Sequence, residues 1–122
     1  MKVYVAGPMS GIPEFNFPAF HAAAAVLRDY GLEVMNPAEM NLELDPETTE
    51  PEEYIRRDLL AIVAECDGMA LLPEWHTSVG ARCEVAVAIT LGFAFYSVYS
   101  GERLHVTPAV CIAHGYPKRV TA

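Results

Sequence analysis

The most constraining feature of this sequence is an alternation of short apolar, β-rich runs with longer stretches of helical period. Lys2 to Ala6, Leu32 to Met35, Gly68 to Leu72 and Phe93 to Tyr99 read as strands, most of them ended by Gly, Pro or Asn-Pro. Between them, Phe17, Phe20, Ala24 and Leu27 recur at helical spacing, with Pro18 suited to a first turn and Gly31 to a C-terminal cap. Ile55, Leu59, Ile62, Val63 and Cys66 repeat that spacing after Thr49-x-x-Glu52, which predicts a capping box with Pro51 in the first turn and a helix to about Ala64. A further helix opens at Ser78 and continues to about Leu91. Strand and helix in alternation specify an α/β fold of three layers. We expect a mostly parallel sheet of four or five strands with helices on both faces, flavodoxin- or Rossmann-like, joined by right-handed crossovers.

In such sheets ligands bind beyond the carboxyl ends of the strands. Here those ends deliver two turns expected to face one crevice, Gly7-Pro8-Met9-Ser10-Gly11 after the first strand and Pro73 to Ser78 after the third. Gly7 and Gly11 permit close backbone approach to a ligand, although Gly-Pro is also ordinary turn punctuation. The turn has neither the G-x-G-x-x-G order of a dinucleotide site nor the lysine of a P-loop. Ser78 is a good N-cap, and the free N–H groups of Val79, Gly80 and Ala81 make the helix start an anion site.

Glu84 follows six residues after Ser78, about 9 Å along the axis at ~1.5 Å per residue, among Ala81, Val85 and Ala88. A lone helical glutamate ordinarily faces solvent or pairs with a neighbour such as Arg82. A carboxylate among small apolar side chains, two turns into a helix that starts at a strand's carboxyl end, is instead a candidate reacting group. Asp58 forms a row with Tyr54 and Ala61 beside the apolar stripe of its helix and could reach the crevice; the alternative is a boundary residue paired with Arg56 or Arg57. Trp75 is placed to stack on a base and His76 to shuttle a proton, though packing and solvation are the commoner fates of such residues. Asp67 precedes a strand and belongs at the far end of the sheet.

Charge and length exclude other classes. The 122 residues carry sixteen acids against eight Lys and Arg, net −8, which opposes attraction to a nucleic-acid polymer while leaving room for one small anion held by backbone N–H groups. Cys66, Cys83 and Cys111 form neither a disulfide framework nor a zinc pattern and read as reduced, mostly buried thiols. Val3 to Ala6 is too short for a signal-peptide apolar region, and Val85 to Gly101, divided at Gly92, is too short to span a membrane. A cytoplasmic location is expected. The acidic stretch Glu39 to Glu53 reads as a solvated loop, and Ser100 onward as an irregular tail of the single domain, with Val106 to Ala113 a candidate last strand.

Taken together, Tyr4-Val5-Ala6-Gly7-Pro8-Met9, Phe17-Pro18-Ala19-Phe20, Asn36-Pro37-Ala38-Glu39, Arg57-Asp58, Cys66-Asp67, Leu72-Pro73-x-Trp75 and Ser78-x-Gly80-Ala81-x-x-Glu84 resemble the nucleoside 2-deoxyribosyltransferase-like superfamily. Within it the chain is similar to a group of small, often phage-encoded proteins, and the likeness covers residues 1 to about 99. The resemblance implies a retaining attack of Glu84 on C1′ of a 2′-deoxynucleoside or nucleotide, which expels the base and leaves a glycosyl-enzyme. It implies that Asp58 orients the sugar or helps proton transfer to the base, and that Tyr4 holds the nucleophile. The nucleotide would lie against Gly7, Pro8, Met9, Ser10, Gly11, Trp75, Ser78 and Gly80. Serine at position 78, where nucleoside transferases resemble D-x-G-x-x-x-E, favours a 5′-monophosphate hydrolase, while Pro8-Met9-Ser10 lacks the basic residue some hydrolases carry there. A transferase of the same fold and a non-catalytic nucleotide-binding or regulatory module are the rival readings. No metal or organic cofactor is implied; a homodimer is, in the cytoplasm, the host's where the chain is phage-encoded.

Overall fold

The computed structural model describes residues 1–106. Its sheet is built from β1 (Lys2–Ala6), β2 (Glu33–Met35), β3 (Gly68–Leu71), β4 (Ala94–Ser97) and β5 (Arg103–Leu104), in the order β2-β1-β3-β4-β5. The first four are parallel, with registers such as Tyr4 beside Met69 and Ala70 beside Tyr96; β5 runs antiparallel along β4. This is the flavodoxin-like strand order, whose switch point falls between β1 and β3. The chain reverses direction across the sheet there, so the loops after β1 and β3 diverge and leave a crevice between them.

Strand residues point to opposite faces in turn, and each face has its own helix layer. Val3, Val5, Ala70 and Leu72 pack against Phe20, Ala23 and Leu27 of α1 (Phe17–Asp29). Tyr4, Ala6, Met69 and Leu71 pack against Ile62 of α3 (Pro51–Glu65) and Val85 and Ala88 of α4 (Val79–Thr90). The expected three layers are therefore present. A short helix, α2 (Pro37–Met40), follows β2, with the Asn36 side chain accepting from the Ala38 N–H at 3.0 Å as its cap.

Several local expectations differ from what is found. The capping box at Thr49 does not form: Glu50 is the N-cap of α3, with no side-chain cap bond. Pro51 already fixes the first turn, so the helix starts without the threonine. Val63 is exposed rather than core, because Asp58 and Ala61 take the buried positions of that face alongside Ile62. The acidic stretch includes α2 at one end and the start of α3 at the other, and is tied down by Arg28–Glu39 and Arg57–Glu43 ion pairs. The tail carries β5, and a tight 3-10 turn at Pro13–Asn16, with Glu14, Phe15 and Asn16 all left-handed, was not foreseen. The strand expected at Val106 to Ala113 lies almost wholly outside the described residues.

Candidate active site

Three chain segments bring one polar cluster into the α3/α4 side of the core. Tyr4 sits mid-strand in β1, where alternation turns its ring toward that side. Asp58 lies two turns into α3 and Glu84 in the second turn of α4; these two helices pack against each other, so their inward carboxyls meet over the ring. Tyr4 is 0% exposed, Glu84 6% and Asp58 8%. The Tyr4 hydroxyl donates to Glu84 Oε2 at 2.5 Å, and Asn41 Nδ2 donates to Asp58 Oδ1 at 3.1 Å. Asp58, Glu84 and Tyr4 lie near enough that each acts on the ionisation of the others.

Burying two carboxyl groups side by side disfavours two negative charges. Burial raises the Glu84 carboxyl well above its ordinary range, and the neighbouring Asp58 charge raises it further, against the opposing bond from Tyr4. Asp58 is also raised by burial, but the Asn41 amide and contacts with Glu84 and Tyr4 hold it down. Both carboxyls are thus raised, burial being the first cause in each, and they titrate as a coupled pair. Burial and both carboxyls push the Tyr4 phenol up, so it remains a donor. The alternative fates of these acids are not taken: Glu84 is buried, Arg82 Nη1 donates to the His76 carbonyl at 2.6 Å, Arg57 pairs with Glu43 and Glu53, and Arg56 with Glu53.

The Ser78 side chain accepts from the Ala81 N–H at 3.1 Å and caps α4, as its sequence position implies. That bond takes up the Ala81 N–H, one of the three donors expected for an anion; Gly80 follows in the first turn, where N–H groups have no partner within the helix. Trp75 belongs to a 3-10 turn (Trp75–Thr77) and packs, half-buried, against the same core cluster as Tyr4; His76 is exposed beside Glu74. Gly7 has a different reason from the one expected. A Cβ there would meet Leu72 Cβ at 2.8 Å, so the glycine serves the packing of β1 against the chain leaving β3. Gly11 is left-handed, with φ +79° and open space around it, which suits a turn. Pro8 is buried, Met9 half-buried on the α1 side, and Ser10 exposed.

A cavity of about 270 Å³ opens between the two loops, lined by Pro8, Ile12 and Asn16 on one side and Leu72, Pro73 and Glu74 on the other. Both turns thus face one crevice, but Tyr4, Asp58 and Glu84 do not line this cavity. Asp67 stands at the opposite end of β1, accepting from the Lys2 N–H at 3.1 Å. The residue that sequence reasoning missed is Asn41. Its only signal was an asparagine at the end of the short segment opened by Asn36-Pro37.

Residues 1–96 match the family model DUF4406, a domain of unknown function. The chain belongs to the DUF4406 family. No curated protein matches it. Among solved structures, this DUF4406 protein is similar to the 2-deoxyribosyltransferase of the psychrotolerant bacterium Bacillus psychrosaccharolyticus, with a TM-score of 0.63 at 20% identity. The match covers 90% of this chain and 80% of that one. The DUF4406 domain therefore has the nucleoside 2-deoxyribosyltransferase-like fold. Among its described residues no His, Cys, Asp or Glu group is arranged to hold a metal ion, and no helix is long and apolar enough to cross a membrane. Cys66 is buried, its thiol pushed up to about 11 by that burial, and Cys83 is half-buried with its thiol also raised; Cys111 lies outside the described residues.

Proposed function

We propose that this protein cleaves the bond between base and deoxyribose in a 2′-deoxynucleoside 5′-monophosphate, with Glu84 as nucleophile. The observation that carries this reading is the buried Tyr4–Glu84–Asp58 cluster. Two carboxyls are costly to bury side by side, and perturbed acids of this kind concentrate where chemistry is done.

The resting proton matters to the chemistry. As Glu84 attacks C1′, its proton leaves by way of Asp58 for the departing base nitrogen, which takes the electron pair of the broken C1′–N bond. A base that departs neutral leaves far more readily than an anion. Water then attacks C1′ of the glycosyl-enzyme, the sugar keeps the hydroxyl, and the remaining proton returns to the carboxyl pair. Tyr4, donating to Glu84 Oε2, holds the nucleophilic carboxyl in place throughout. The 5′-phosphate would rest on the N–H groups at the start of α4, next to uncharged Ser78, with Trp75 and the Gly7 to Gly11 turn enclosing the nucleoside.

The same cluster suits transfer of the deoxyribosyl group to a second base, the activity in the name of the similar Bacillus enzyme. Hydrolysis is preferred on Ser78, which keeps negative charge away from a phosphate. A homodimer belongs to the same proposal and is read by sedimentation. Purified protein incubated with each deoxynucleoside and its 5′-monophosphate, followed by chromatography of free base, tests the reading. We expect release from a monophosphate that is lost in Glu84→Ala; base exchange between two nucleosides identifies a transferase, and turnover surviving Glu84→Ala removes Glu84 as nucleophile. Absence of release from every substrate, with tight nucleotide binding retained, identifies a binding module.

A further inference from the structure

Asn41 follows directly on α2, and its side-chain amide makes two bonds from one nitrogen. Nδ2 donates to the Pro37 carbonyl at 3.3 Å and to Asp58 Oδ1 at 3.1 Å. Oδ1 of the same amide is buried and has no partner among the described residues. A buried acceptor without a donor is unfavourable and uncommon. Turning the amide over would not relieve it, because that would set Oδ1 against an Asp58 oxygen and the Pro37 carbonyl, acceptor against acceptor. The local structure thus tolerates one unsatisfied oxygen in order to keep a donor on Asp58.

We propose that Asn41 is a positioning residue which, by donating to Asp58, fixes Asp58 as the anion of the carboxyl pair and leaves the shared proton on Glu84. The use made of that proton rests on the proposed base release; its location does not. Of the other groups facing Asp58, only Arg57 also favours the charge of Asp58 and not that of Glu84, and it acts by its charge without a bond to Asp58. Tyr4, from β1, lies within reach of both carboxyls and donates to Glu84 at 2.5 Å. Arg57, on Asp58's own helix, is engaged by Glu43 and Glu53. Glu84, from α4, is the partner itself. Asn41 donates to Asp58 alone of the pair, so it breaks the symmetry. Without it, the proton would be shared more evenly, and less of it would start on the nucleophile from which it must travel to the leaving base.

Carboxyl ¹³C titration by NMR reads each acid separately. In the wild type, Asp58 should titrate at lower pH than Glu84. Asn41→Ala should raise the Asp58 midpoint by about one pH unit, the effect expected from removing a hydrogen bond to a charged group. Base release should fall about 10-fold in kcat with little change in KM, and Asn41→Gln should restore part of it. Asn41→Leu, which keeps the side-chain shape without the donor, gives the same reading should the alanine variant not fold. An Asp58 midpoint unmoved in the donorless variants, or lying above Glu84 in the wild type, overturns the inference. If the titration behaves as stated and no substrate releases base, the catalytic reading fails and this one stands; if base is released and the Asp58 midpoint does not move, the reverse holds.

Discussion

Tyr4 shows how one residue joins fold to chemistry. Its ring is fully buried in the sheet face that receives α3 and α4, while its hydroxyl reaches the Glu84 carboxyl at 2.5 Å. Tyr4→Phe keeps the packing and removes one bond to a buried acid, so base release should fall roughly 10- to 100-fold, the range that corresponds to a hydrogen bond to a charged group. Steady-state kinetics on the best monophosphate checks this, with thermal unfolding as the control for folding. Glu84→Gln should be far more severe, with a loss of roughly 10³-fold or more, because no other group takes over as nucleophile. The amide is close in shape to the carboxyl and carries no charge to bury, so the Gln variant should fold at least as stably as the wild type. A variant that is inactive because it is unfolded would instead lose its cooperative thermal transition.

At the scale of elements, much of the architecture was legible because strand and helix periods differ so sharply. The alternation of Val3 and Val5 against Tyr4 and Ala6 assigns β1 two buried faces, and Ser78 marks the start of α4 by its own chemistry. What was not legible depends on contacts distant in sequence. β5 is two residues long and forms only because β4 offers it an edge; the Ser97 N–H donates to the Glu102 carbonyl at 2.9 Å where the chain doubles back. Asn41 carries no signal until α3 brings Asp58 against it. Gly7 has a packing reason that the sequence cannot show, because Leu72, just after β3, is distant along the chain. Gly7→Ala should cost about 1–3 kcal/mol by overpacking against Leu72. Ser78→Ala should cost about 1 kcal/mol through the lost cap, lowering the melting temperature by several degrees while leaving the carboxyl cluster in place. Calorimetry on the two variants separates these effects, and a Gly7→Ala variant as stable as the wild type would contradict the packing explanation.

For the molecule as a whole, the buried pair makes stability depend on pH in a direction opposite to that of ordinary ion-paired acids. Both carboxyls are raised above their ordinary values of 3.8 for Asp58 and 4.5 for Glu84, the main cause in each being burial. Over the interval between the unfolded and folded values the native state binds more protons than the unfolded one, and stability falls as pH rises. The stabilising contribution is therefore complete below about pH 4 and is lost as pH climbs through the folded-state value of Glu84. Glu43, lowered by its bond to Arg57, acts in the opposite sense, favouring the fold above its ordinary 4.5, but that pair is exposed and screened. The net charge of −8 adds a general self-repulsion that also grows with pH. Glu84→Gln separates the local cause from the general one, since it removes the Glu84 titration and its repulsion on Asp58 and changes the overall charge by at most one. We expect the melting temperature of the wild type to decline as pH rises above the ordinary 4.5 of Glu84 and that of Glu84→Gln to decline markedly less, in calorimetric scans at constant ionic strength. Parallel profiles for the two proteins would mean that the proton does not reside on Glu84, and the proton route proposed for the leaving base would fall with it.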